Sequence, residues 1–137
     1  MNRKDLQLLS DLRLKEAQAL LHAGMPDGAY YLAGYAVELA LKARIAKGTQ
    51  RHDFPDRNSV NASHTHNLNE LVTTAKLKVD RLARAKLDPI FNNNWDLVQQ
   101  WSELSRYQRH SAEIAGALIH AISDRKHGVM AWIRTYW

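Results

Sequence analysis

The dominant period of apolar residues in this chain is helical. Residues 3–23 place Leu6, Leu9, Leu12, Ala17, Leu20 and Leu21 as a broad apolar stripe, and Gly24 follows where a helix C-cap belongs. Pro26 then falls in the first turn of a second helix, where its missing N–H costs nothing. That helix, AYYLAGYAVELALKARIAKG, runs to Gly48 without an internal Pro. Residues 49–66 read as a long polar connection with no strand signal, the kind of loop that is functional or mobile in a small domain. A third helix is expected over 67–76, with Leu68, Leu71 and Val72 inward, and a basic segment follows to about Leu87. Asp88-Pro89 breaks it, and Asn92, Asn93 and Asn94 are expected to turn and to cap a helix beginning near Trp95. Trp95, Val98, Trp101 and Leu104 share one face over 95–104. The final long helix is expected over 107–126, with Ile114, Leu118, Ala121 and Ile122 inward. Gly128 interrupts it, and VMAWIRTYW closes the chain as a short aromatic helix. The expected fold is all-α: a compact up-and-down bundle of four to five main helices plus a short C-terminal helix, one domain over 1–137.

Composition narrows the function classes. With 137 residues the chain can bury one good core. The absence of Cys excludes disulfides, thiolate metal sites and a Cys nucleophile. No apolar run approaches the ~20 residues of a transmembrane helix. The opening MNRKDLQLLSDLRLKEAQ carries charges among its leucines, unlike a signal peptide, so a soluble, cytoplasmic protein with no membrane partner is expected. The net charge of +5 permits an anionic partner. It is uneven: residues 1–51 hold eight basic and five acidic side chains, 52–105 six and seven, 106–137 five and two. Lys76, Lys78, Arg81, Arg84 and Lys86 cluster in the middle, either as a solvated helix or as a phosphate-tracking patch.

Two polar helix faces stand out. Tyr31, Tyr35, Glu38 and Lys42 share a face of the second helix, and a carboxylate in so apolar a stretch must be paired or wet. An ion pair with Lys42, completed by Tyr hydroxyls, is one reading; a cleft facing another polar helix is the other. Arg106, Arg109, His110 and Glu113 share a second face if a helix begins before Arg106. An Arg that holds phosphate and a His that moves protons near neutral pH suit phosphodiester chemistry without a metal. The plain alternative is an exposed basic helix start with Glu113 pairing Arg109. His64 and His66, with His52 and Asp53 upstream, are too few for zinc, and no metal or other cofactor is expected. Trp95, Trp101, Trp132, Tyr136 and Trp137 read as core and interface before they read as base-stacking platforms, with Trp137 hinting at a partner that covers it.

These residues carry a family likeness. ALLHAGMPDGAYYLAGYAVELALKARIAK, with its A-V-E-x-x-L-K-A core, resembles the opening helical pair of HEPN (higher eukaryotes and prokaryotes nucleotide-binding) domains. T-H-N-L-x-E-L at 65–71 looks like the family's third-helix start, and W-S-E-L-S-R-Y at 101–107 and G-V-M-A-W-I at 128–133 look like its last helices. The resemblance implies a homodimer whose cleft binds RNA or a nucleotide, in a toxin–antitoxin or antiphage setting. Active members resemble metal-independent ribonucleases with an Arg-x4–6-His motif; others partner a small nucleotidyltransferase. Here His110 follows Arg106 after three residues, while Arg57-x6-His64 fits the motif only by number and lies in the polar connection. Arg106 and His110 are thus the catalytic candidates, and Glu38, Tyr35, Lys42, His66, Tyr107 and Arg109 the ligand-binding ones. Three functions are carried forward: an RNA- or nucleotide-binding HEPN domain, a ribonuclease toxin, and a helical interaction module.

Overall fold

A computed structural model describes residues 1–48 and 57–137 of the chain. Among these residues every regular element is a helix: α1 (Arg3–His22), α2 (Pro26–Lys47), α3 (Arg57–Ala62), α4 (Leu68–Thr74), α5 (Lys78–Leu87), α6 (Pro89–Val98), a 3-10 turn (Glu103–Tyr107), α7 (Ala112–Ser123) and α8 (Val129–Arg134). The protein is an all-α helical bundle. His52 and Asp53 lie outside the described residues, as does the side chain of Arg57.

Local chemistry sets the boundaries. Asn2 caps α1 by accepting from the Asp5 N–H at 2.9 Å, and Asp5 reciprocates by accepting from the Asn2 N–H at 3.1 Å. Gly24 supplies the left-handed residue after α1, at φ 76°, and Pro26 opens α2. Asn67 caps α4 through the Glu70 N–H, and Ser111 caps α7 through the Ile114 N–H. Lys76 takes the left-handed position between α4 and α5 at φ 60°, a place that glycine fills at less cost.

The core is built around α2. Ala29, Ala33, Ala36, Ala40 and Ala43 are fully buried on it, and small side chains let neighbours come close. Ser10 of α1 reaches across to donate to the Ala36 carbonyl at 2.7 Å. α2 packs against α1, α4, α7, α8 and the 3-10 turn. Phe91, Trp95 and Trp132 fill the space opposite, their rings 5.3–6.5 Å apart in tilted and edge-on pairs.

Several expected boundaries are displaced. The polar connection contains α3. The Asn triplet lies inside α6, which is capped by Asp88: its carboxylate accepts from the N–H groups of Ile90 and Phe91, both at 3.1 Å. α6 ends at Val98, so Leu104 leaves the Trp95 face and is 60% exposed. α7 begins only at Ala112, which turns Ile114 outward, 52% exposed. Trp137 is covered by α2 of the same chain, donating its indole N–H to the Ala40 carbonyl at 3.2 Å, so it does not require a partner to cover it.

Candidate functional site

The face of α2 that bears Tyr31, Gly34, Tyr35 and Glu38 receives the segment 101–107. Gly34 makes this possible: a Cβ there would fall within the Trp101 indole. Trp101 therefore sits directly on the helix backbone, its ring 6.1 Å from Tyr31, which stacks in turn on Tyr35 at 6.1 Å. The 3-10 turn that follows is anchored above Glu38.

Glu38 is 1% exposed. Lys42 donates to its Oε2 at 3.2 Å, the expected pair one turn along the helix. The rest of its shell differs from expectation. His66, immediately before the Asn67 cap of α4, brings Nδ1 to 3.0 and 3.1 Å from the two carboxylate oxygens. Among the described residues no Tyr hydroxyl completes the site; Tyr31 and Tyr35 contribute ring faces instead. On the other side of the imidazole, Nε2 lies 3.2 Å from Glu103 Oε2, and the same oxygen lies 3.5 Å from Arg106 Nη2. The result is an alternating chain, Lys42–Glu38–His66–Glu103–Arg106, that runs from the buried side of α2 to the surface. Thr65, His66, Trp101, Ser102 and Glu103 line a shallow cleft of about 230 Å³ beside it.

Arg106 ends this chain as an exposed guanidinium between two aromatic faces, 5.8 Å from the Tyr31 ring centre and 5.4 Å from that of Tyr107. Tyr107 is 78% exposed. Arg109 is exposed and pairs with no described residue, Glu113 included.

The structure separates the two catalytic candidates. Arg106 belongs to the 3-10 turn, Gln108 is extended, and Ser111 caps a new helix, so Arg106 and His110 do not share a helical face. His110 is tied to the start of α2. Its N–H donates to Asp27, and its ring stacks on Tyr30 with centres 3.8 Å apart and planes within 10°. Nδ1 of His110 is buried without a partner, and burial pushes the Tyr30 phenol above its ordinary value.

Sequence reasoning missed Glu103, which joins His66 to Arg106, although its i,i+3 spacing to Arg106 was available as a signal. It also missed Tyr30 and Asp27, which nothing in the spacing connects to His110. His64 is exposed and joins no metal-ligating group; among the described residues no cluster of three or more His, Asp or Glu is placed to hold a metal ion. No described helix is long and apolar enough to cross a membrane. Comparison with family models, with curated proteins and with solved structures finds no match to the chain.

Proposed function

We propose that this chain is a HEPN-type domain that binds RNA or a nucleotide at the Arg106 face and does not cleave it. The observation that carries this reading is the setting of Arg106. Its guanidinium is presented between two tyrosine faces, and its ion pair to Glu103 is long and half-exposed. Exposed pairs of this kind contribute about 0–1 kcal/mol, so a phosphate displaces Glu103 at little cost. Arg106 and Arg109 then hold phosphates and Tyr107 offers a ring for a base, the combination that single-stranded RNA recognition uses. A homodimer whose cleft this face lines, in a toxin–antitoxin or antiphage setting, belongs to the same reading.

Binding is favoured over the ribonuclease reading by the state of His110. A general base must present a ring nitrogen within hydrogen-bond reach of the 2′-hydroxyl. Here the ring lies flat on Tyr30 with Nδ1 enclosed, which leaves Nε2 alone for that task, and an extended segment takes His110 off the helical turn that carries Arg106. The interaction-module reading, with a nucleotidyltransferase as partner, has no comparable feature in its favour once Trp137 is seen packed on α2.

Fluorescence anisotropy with a labelled single-stranded RNA tests the assignment. Arg106→Ala weakens binding roughly tenfold, the loss of one charge-assisted contact, and leaves the helical circular dichroism intact. Affinity unchanged by the substitution contradicts it.

A further inference from the structure

The two ends of the sequence, where the basic excess lies, meet in the fold. α1, the α7–α8 connection and α8 wall a cleft of about 370 Å³ whose floor is Leu14. Lys15, Arg125 and Arg134 line it from three different elements, joined by Gln18 and by one acid, Asp11. The acid is already engaged: Asp11 Oδ1 accepts from Arg134 Nη2 at 2.7 Å. The same guanidinium lies over the Trp137 ring, 5.7 Å from its centre. Arg134 is thus oriented by two contacts, with its other N–H groups left over for a ligand. Lys15 and Arg125 pair with no described residue.

We propose that this cleft is a binding site for a compact phosphoryl anion, of the size of pyrophosphate or the phosphate chain of a nucleotide. Arg134 offers a planar fork held in place, which suits the paired oxygens of a phosphate; Lys15 and Arg125 add charge, and the Gln18 amide a neutral donor. Three cations against one already-paired carboxylate leave the cleft without the anion that would balance it. Its volume is about a dozen times one water's share of liquid, enough for a short phosphate chain. The site shares no residue with the Arg106 network, and it stands or falls independently of RNA binding there.

Isothermal titration of the full chain at low salt tests it, using inorganic pyrophosphate, adenosine triphosphate, adenosine and a single-stranded RNA as probes. Pyrophosphate binds saturably at one site, and adenosine does not displace it. Lys15→Gln and Arg125→Gln each weaken pyrophosphate roughly tenfold, since both side chains are exposed and their loss spares the core. Arg106→Ala leaves pyrophosphate affinity unchanged. RNA that displaces pyrophosphate marks the nucleic-acid backbone as the source of the phosphate, and displacement by the nucleotide alone marks a free polyphosphate; both support the site. Failure of pyrophosphate to bind at millimolar concentration overturns the proposal. So does binding that survives the double substitution, or binding that Arg106→Ala removes.

Discussion

A carboxylate taken out of water loses several kcal/mol of hydration, and only charged or donor groups at short range restore it. Glu38 meets that need with Lys42 on its own helix and His66 from the start of α4. The same imidazole turns its other nitrogen toward Glu103, with Nε2 3.2 Å from Oε2, so one ring links the buried carboxylate to the surface one. Asp88 shows the same chemistry in a simpler setting. His127 hydrogen-bonds its carboxylate at 2.7 Å and holds it below the usual carboxylate range, helped by the Phe91 N–H and by the charges of His127 and Arg84, with partial burial opposing. The folded pKa is depressed relative to the unfolded value of about 3.9, so this contribution is present above that value and is lost as pH falls through the depressed one. Melting temperature followed against pH should therefore fall below about pH 4 in the parent chain. Asp88→Asn keeps an acceptor for the Ile90 and Phe91 N–H groups but loses the carboxylate charge that His127 and Arg84 face, so it should be less stable at neutral pH and its curve flatter in the acid range. Parallel curves for the two proteins exclude this role for Asp88.

At the scale of elements, α2 does most of the positioning. Its Ala face accepts α1 and α7, and its Gly34 notch accepts Trp101 and so fixes the 3-10 turn. Gly34→Ala should force the indole off the helix, destabilising the fold by about 1–3 kcal/mol as overpacked cores do. RNA affinity should fall with it, because Arg106 rides on the segment that Trp101 anchors. Thermal melting and anisotropy measured on the same variant check the link; loss of stability with affinity intact breaks it. Pro26, Gly24 and the Ala-rich run made α2 legible in the sequence, and the Glu38–Lys42 pair with it. The region after α6 was not legible. Apolar residues at 95, 98, 101, 104, 114 and 118 keep a near-helical rhythm across breaks at 99–102 and 108–111, where Ser111 caps a new helix. Periodicity carries no information about such breaks, so it puts Leu104 on the Trp95 face, Ile114 inward and Arg106 and His110 one turn apart. α5 is the solvated helix that its basic cluster permits. It buries no side chain, turning Arg81 and Arg84 toward the Trp95 and Phe91 rings while Val79 stands 79% exposed. The five-residue basic cluster is thereby split, with its arginines facing the protein.

For the whole molecule, net charge proved less informative than its distribution. The fold gathers Lys15, Arg125 and Arg134 at one cleft and leaves Arg106 and Arg109 at another, two basic surfaces that a count of +5 does not distinguish. The helical bundle itself follows from the periodicity and the caps. The proposed function hangs on a narrower point, whether the Arg106 face binds RNA and leaves it intact. One assay separates these outcomes: end-labelled single-stranded RNA incubated with the protein in metal-free buffer, with bound and cleaved fractions read from the same samples. RNA that is retained and stays full length over hours, with retention lost in Arg106→Ala, is the predicted result. Fragments with cyclic-phosphate ends that disappear in His110→Ala would contradict it and identify the chain as a ribonuclease.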